Sequence, residues 1–440
     1  GFSWMEMLQN EESVGCHIAL TPTWNETAFF ADYVLPMGHA SERHDVNSYA
    51  TSSGKWVAFR QPVLREYARR EGREVEFTHE VNPGEVWEED EFWNELSWRI
   101  DDGTMGIREH FMSPYREGEK ITIDEYYQYL FERVPGLPEA AAAEGTDALG
   151  YMRKHGAFLI EESTYKKYEK DGWPTPSGKQ EFYSETMIEF GYPEHSIPHY
   201  RQKSHVHPDN LTGEDEYCLL PNFRLPQHIH SRSANAKWLV EIAHRNPIWI
   251  HPKDARRLGV AEGDLLKIET EIGWFVDKVW VTEGIKPGVV GCSHHIGRWR
   301  RSQDAGNRFL TNTVSIEDTG NGKMRMRTVS GIEPWKSDDP DTNRIWWRDG
   351  GVHQNITHAV QPDPISGAHC WLQKVRLSRP SEGEEYGDIE VDRQKSFEYY
   401  KRWNKWAKDR ETHPRGERRP LWMKRPLAPR KEHFIIGERD

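Results

Sequence analysis

The stretch from Tyr217 to Gly297 constrains the fold most, because short apolar runs alternate with turn residues throughout it. Tyr217–Leu220 and Pro247–Ile250 read as short strands. Pro252–Leu258 reads as a brief helix stopped at Gly259, a residue free to take positive φ. Glu262, Gly263 and Asp264 make a turn, and Leu265–Thr270 then alternates apolar and polar residues as a half-buried strand does. Gly273 marks the next turn, Phe275–Thr282 the next strand, and Lys286-Pro287-Gly288 turns the chain into Val289–Cys292. Many short strands separated by Gly and Pro turns predict a closed or sandwiched β domain.

Polar residues crowd both ends of this block. Arg224, His228, His230, Ser231, Arg232 and Ser233 fall within ten residues, and His294, His295 and Arg298 follow the last strand. Arginine forks with His and Ser donors suit an anionic, heteroatom-rich ligand. The plain alternative is a solvated basic loop.

The block resembles the last domain of the molybdopterin (bis-MGD) oxidoreductases, the dimethyl-sulfoxide-reductase superfamily. That family carries an R-x-x-x-H-x-x-x-R-S segment, matched by Arg224, His228, Arg232 and Ser233, and a run closely similar to Asn246–Asp264 (NPIWIHPKDARRLGVAEGD). The resemblance covers nearly all of residues 15–380. It implies a six-stranded double-psi β-barrel that binds pterin guanine dinucleotide, preceded by the remainder of an α/β, Rossmann-like domain.

Earlier in the chain, Gly1–Gly15 holds a short amphipathic pattern. Cys16–Leu20 reads as a buried strand, Thr21–Ala31 becomes helical after cap residues, and Asp32–Pro36 is a second strand. Strand, helix, strand is a βαβ unit and hence a parallel sheet. Glu26, Thr27, Ala28, Ala31, Asp32, Val34, Leu35 and Pro36 resemble the family's E-T-A-x-x-A-D-x-V-L-P segment. The family's next motif, E-x-x-G, departs here to Glu42-Arg43-His44-Asp45, and Arg60-Gln61 closes the match.

Trp87–Ile100 places Trp87, Phe92, Trp93, Leu96 and Ile100 at helical spacing, which predicts a helix with that stripe in the core. Ile121–Val134 predicts another, capped by Thr122 or Asp124. Glu139–Gly145 reads as an exposed loop or helix tip. Trp173–Ser184 resembles a family hairpin, and His195–Glu214 reads as a linker. Arg298–Gly350 reads as irregular. Gly350–Lys374 resembles the family's closing segment, which makes Asn355 and Lys374 cofactor-binding candidates by resemblance. Residues 381–440 read as a charged extension with a helix over Ser396–Lys408. The expected divisions are thus 1–125, 126–210, 211–380 and 381–440.

Composition excludes other classes. A net charge of −13 argues against a nucleic-acid partner. No apolar run approaches the roughly 20 residues of a membrane-spanning helix. The four cysteines, Cys16, Cys218, Cys292 and Cys370, include no closely spaced pair, so neither an iron–sulfur cluster nor a zinc site is expected on this chain. All four read as small buried hydrophobes.

The resemblance implies molybdenum or tungsten held by two pterin guanine dinucleotides and shared with another polypeptide. That polypeptide would be an N-terminal half or subunit supplying the metal ligand, and the 4Fe-4S cluster would lie there or on an electron-transfer subunit. In that reading Arg224, His228, Ser231 and Ser233 bind phosphate or pterin edges, His294 and His295 donate to the dithiolene side or pterin nitrogens, and Asn355 locks the pterin. No residue reads as a catalytic base. The formate-dehydrogenase-like branch is the first expectation. Reductases of sulfur or arsenic oxyanions, phenylacetyl-CoA-type enzymes and a cofactor-free structural subunit are the alternatives, and a fragment of a longer reading frame competes with the split enzyme.

Overall fold

The computed structural model describes residues 1–51, 54–175, 177–189, 193–198, 206, 210–221, 225, 227, 228, 230–234, 236–304, 311–332, 348–361, 368, 369 and 371–404. Residues 17–24 and 31–180 form one compact unit, and residues 1–16, 25–30 and 181–440 group into the other.

In the first unit, β1 (Ile18–Thr21) and β2 (Tyr33–Pro36) pair in parallel, with Ile18 opposite Tyr33. The helix expected in the sequence between them, a stretch that groups with the other unit, is only a 3-10 turn over Ala28–Phe30. Side chains divert the backbone there: Asn25 Oδ1 accepts from Ala28 N–H at 3.0 Å, and Thr21 Oγ1 bonds the Thr23 carbonyl. β1 is half-exposed rather than buried. The parallel sheet among the described residues is therefore two strands wide.

The rest of this unit is antiparallel. β3 (Asp45–Thr51), β4 (Gly54–Arg60) and β5 (Ala157–Glu162) pair in that order. Val57 and Phe59 pack against Ile123, Tyr127, Phe131, Leu137 and Met152. The helix Ile123–Phe131 is held by a capping box: Thr122 Oγ1 accepts from Glu125 N–H at 3.2 Å, and the Glu125 carboxylate returns to Thr122 N–H. The division expected at 125 falls inside this helix. Glu139–Gly145 is mostly helix, Leu137–Ala143, with Ala141 buried. Trp173–Ser184 forms no ladder among its described residues, only a turn closed by Trp173 N–H on the Gly178 carbonyl.

The helix Glu89–Ile100 is built inside out relative to expectation. Glu91 is 3% exposed while Trp93 is 42% and Ile100 53% exposed. The acids face inward because partners await them. Glu91 pairs with Arg65 and accepts from Thr78, and Glu88, just before the helix, takes His44 Nδ1 at 2.8 Å. Hydrogen-bonded charge can be buried, whereas a Trp stripe has no obligation to be.

The second unit is a β-barrel. Its strands are β6 (Glu216–Leu220), β7 (Ile248–Ile250), β8 (Leu265–Glu269), β9 (Gly273–Val281), β10 (Val289–Gly291), β11 (Trp299–Arg301), β12 (Asn312–Gly320), β13 (Lys323–Ser330), β14 (Gln373–Ser378) and β15 (Ile389–Asp392). The ring runs β9-β7-β10-β6-β14-β8, and β8 pairs back onto β9, which closes six strands. The β9–β7 and β10–β6 pairs are parallel and the others antiparallel. Tyr217, Leu219, Ile248, Ile250, Leu266, Ile268, Phe275 and Val290 fill the interior. The helix Pro252–Leu258 ends at Gly259, φ 66°, as its sequence requires.

Two expectations change here. Arg298–Gly350 is not wholly irregular: β12 and β13 form a long antiparallel pair that turns at Gly320-Asn321-Gly322. Its signal was the alternation Val314, Ile316 and Met324, Met326. The charged extension also begins inside the sheet, because β15 pairs with both β13 and β9. A helix, Arg393–Asn404, follows it. Of the cysteines, only Cys292 is fully buried; Cys218 is half-buried, Cys16 is exposed, and Cys370 lies outside the described residues.

Asp277 on β9 sits beside Cys292 in the core, and burial pushes its carboxyl well above the usual carboxylate range. A carboxyl raised on folding binds a proton that the unfolded chain has released. Stability therefore falls as pH climbs from the unfolded value near 3.9 toward the raised folded value, by up to about 1.4 kcal/mol per pH unit. Asn keeps the bond that Asp277 Oδ1 accepts from Lys278 N–H at 2.7 Å. Asp277→Asn is expected to flatten this decline and raise stability at neutral pH in denaturant titrations run from pH 4 to 8. An unchanged pH slope would refute the assignment.

Candidate functional site

One end of the barrel is knitted together by Asn246, two residues before β7. Its Nδ2 donates to the Ser293 carbonyl at 2.9 Å and the Val352 carbonyl at 3.0 Å, and its Oδ1 accepts from Val352 N–H at 2.8 Å. Three distant segments are thereby held in register. The fit leaves no room for side chains on two glycines. A Cβ on Gly351 (φ 82°) would lie 2.3 Å from Asn246 Oδ1, and one on Gly297 (φ 102°) would lie 2.3 Å from the Val352 carbonyl oxygen. Gln354 adds a further tie, its Nε2 donating to the Cys292 carbonyl.

This frame presents a group of imidazoles. His294 and His295 follow β10, with ring centroids 4.0 Å apart, and His230 stacks on His295 at 4.4 Å. His230 opens the short helix His230–Ser233 at φ 55°. That conformation aims its N–H at His295 Nδ1, 2.6 Å away. An Nδ1 that accepts leaves the hydrogen on Nε2, so His295 offers an Nε2–H donor. His294 is the reverse: its Nδ1 donates to the Pro221 carbonyl at 2.9 Å, which leaves Nε2 as an acceptor. Asn355 fixes this backbone by donating from Nδ2 to the His294 carbonyl at 3.1 Å. The three imidazoles bring ring nitrogens within 4.8 Å of one another. A metal needs a lone pair from each ligand, and His295 has already committed its own, so the group is matched to a ligand with both donors and acceptors.

Beside it lies a cavity of about 390 Å³ lined by Asn355, His358, His369 and Trp371 among others. Both ring nitrogens of His358 are buried without a hydrogen-bond partner, as are Asn355 Oδ1 and Gln354 Oε1. Burial first, then the neighbouring imidazoles, pushes the His358 pKa down to about 3, so the ring is neutral and carries one donor and one acceptor. Buried polar atoms without partners are costly, which marks them as functional candidates.

The other expected residues divide. His228 is buried and its Nε2 bonds the Ala243 carbonyl, which makes it a loop anchor. Ser233 is buried, with Oγ donating to the His230 carbonyl at 3.2 Å. Lys374 is not brought to the imidazoles: it pairs with Glu216 at 2.8 Å, donates to the Asn210 carbonyl, and lines a groove with Glu269. Arg224 and the side chains of Ser231 and Arg232 lie outside the described residues.

Sequence reasoning passed over Asn246, Gln354 and His358 as site residues, although each lies inside a segment it had singled out. It also missed a buried pair. Arg298 Nε donates to Glu26 Oε1 at 2.7 Å, and the same oxygen accepts from Trp299 N–H at 3.2 Å. Glu26 belongs to the early E-T-A segment, 272 residues away.

Comparison with known proteins matches the family model described as molydopterin dinucleotide binding domain to residues 219–324. The arsenate respiratory reductase molybdopterin-containing subunit of Chrysiogenes arsenatis is 24% identical over 71% of this chain and 39% of its own length. Dopamine dehydroxylase of Eggerthella lenta is 25% identical over 78% of this chain and 37% of its own. A dimethyl sulfoxide reductase of Escherichia coli K12 is 26% identical over 67% and 34%. The chain thus spans less than two-fifths of the length of these relatives. Among solved structures, acetylene hydratase from Pelobacter acetylenicus aligns over 63% of this chain and 33% of its own, with 24% identity and a TM-score of 0.45.

Proposed function

We propose, from the premise that this chain belongs to the molybdopterin oxidoreductases of the dimethyl-sulfoxide-reductase superfamily, that it is the C-terminal portion of a molybdenum bis-MGD enzyme and grips the cofactor at the imidazole end of its barrel. The observation that carries this reading is the group of imidazoles His230, His294 and His295, whose ring nitrogens lie within 4.8 Å of one another. It sits inside the stretch that the dinucleotide-binding model covers.

The donor set fits such a group. A pterin edge and a diphosphate present both donors and acceptors, and His358 with the Asn355 side-chain carbonyl supplies the complement. Asn246 and Gln354 hold these groups before any ligand arrives, which limits the ordering cost of binding. When bound, the cofactor supplies two-electron chemistry at its metal. The residues of this chain bind and orient it, exclude water, and set the local field. In this proposal the closed six-stranded ring is the double-psi barrel, and the β1–β2 pair is the edge of a Rossmann-like domain. The metal ligand and the iron–sulfur cluster come from polypeptide beyond these 440 residues.

The substrate belongs to the same proposal. The formate-dehydrogenase-like expectation leans on the Arg224, His228, Arg232 and Ser233 arrangement, of which Arg224 and the Arg232 side chain lie outside the described residues. The names of the relatives, reductases of arsenate, dimethyl sulfoxide and trimethylamine N-oxide, support an oxyanion or oxide reductase instead. The native assembly, assayed with reduced viologen, is expected to reduce at least one of these three. Oxidation of formate, with none of the three reduced, would return the enzyme to the formate branch.

A further inference from the structure

The unit built around β3, β4 and β5 holds a second cavity, of about 210 Å³, that plays no part in the reading above. Four arginines line it, Arg65, Arg69, Arg73 and Arg153, together with the carboxylates of Glu66, Glu74 and Asp124. Three are already aimed by carboxylates and keep donors to spare. Arg65 Nη1 is held by Thr78 and Glu91, which leaves Nε and Nη2. Arg69 gives Nε and Nη2 to Glu66, which leaves Nη1. Arg153 gives Nη2 to Asp124 at 2.7 Å, and its Nε is buried with no hydrogen-bond partner. Guanidinium groups pinned in this way lose little freedom when an anion arrives.

His44 closes the cavity wall. It is 4% exposed, stacks on Phe59 at 5.5 Å, and gives Nδ1–H to the Glu88 carboxylate at 2.8 and 2.9 Å. Its Nε2 edge is what remains to face the cavity, and no bond to that nitrogen is formed among the described residues. The tautomer that gives Nδ1–H to Glu88 presents an Nε2 acceptor. An acceptor among arginines selects a particular anion. Hydrogen phosphate carries both O⁻ for the arginines and O–H for Nε2, whereas sulfate at neutral pH has no hydrogen to give.

The geometry points to a binding site for a phosphate group in this cavity, held by Arg65, Arg69 and Arg153, with Arg73 on its lining, and by an O–H···Nε2 bond to His44. The site is independent of the pterin proposal, since it uses none of the same residues.

The test is calorimetric titration of the native assembly with inorganic phosphate, sulfate and glycerol 1-phosphate at matched ionic strength. Saturable 1:1 phosphate binding is expected, at least about tenfold tighter than sulfate. Arg73→Gln, an exposed position whose change spares the core, is expected to weaken it about tenfold, and Arg153→Gln to do the same. Tighter binding of glycerol 1-phosphate than of phosphate identifies a phosphate monoester as the occupant, and the reverse order identifies the free ion. No saturable binding, equal affinity for sulfate, or binding untouched by both arginine variants overturns the proposal.

Discussion

Asn246→Ala is expected to cost about 3–5 kcal/mol of stability, measured as a shift in denaturation midpoint at unchanged m-value. The side chain is 1% exposed and satisfies two carbonyls and one amide from segments that lie 47 and 106 residues away. Alanine leaves the Val352 N–H without this partner and takes one bond from each carbonyl, although the Val352 carbonyl keeps the bond it accepts from Gln354 N–H at 2.9 Å, and each group left unsatisfied costs about 1–3 kcal/mol. The Asp variant separates hydrogen bonding from packing. Asn246→Asp keeps the shape and the acceptor for Val352 N–H, but it turns oxygen toward the Ser293 and Val352 carbonyls. It is expected to be as damaging as alanine. An aspartate variant as stable as the native protein would show that the donor role is misassigned. Both variants are also expected to loosen the His294 loop, since Ser293 is the residue that Asn246 grips.

The second large effect concerns Glu26. Arg298 has a side chain 5% exposed, and Glu26 Oε1 serves both its guanidinium and Trp299 N–H. Glu26 is itself 21% exposed, so removing it costs less than breaking a fully buried pair, about 1–3 kcal/mol. Glu26→Ala is expected to fall in that range. Glu26→Gln keeps an acceptor and is expected to lose less. The double variant Glu26→Gln with Arg298→Met is expected to recover much of the loss, because matched removal of a buried pair is often near neutral. Strict additivity in this double-mutant cycle would mean that the pair contributes no coupling.

The barrel was legible because its signals are local. Gly259 stops a helix, Gly263 turns the chain, and Leu265–Glu269 alternates, and each of these requirements is met within a few residues. His294, His295 and Asn355 were legible for the same reason, standing in segments with a family likeness. What escaped notice depends on distance. Nothing near Glu26 announces Arg298, and nothing near Asn246 announces Val352. Periodicity misled at Glu89–Ile100, where Arg65, Thr78 and His44 draw the acids inward and leave Trp93 and Ile100 outside. Between Asn312 and Ser330, scattered charges and the neighbouring tryptophans hid an alternation that two long strands obey. Lys374 was a cofactor-binding candidate by resemblance, and in the structure it pairs with Glu216.

The measurement that tests the central claim most directly is the molybdenum and guanine-nucleotide content of the purified native assembly, compared between the native chain and His295→Ala. The account predicts about one molybdenum and two guanine nucleotides per native chain. It predicts a clear loss of both in the variant, in an assembly that stays intact. An intact native assembly without metal or nucleotide, or full content in the His295 variant, would contradict it.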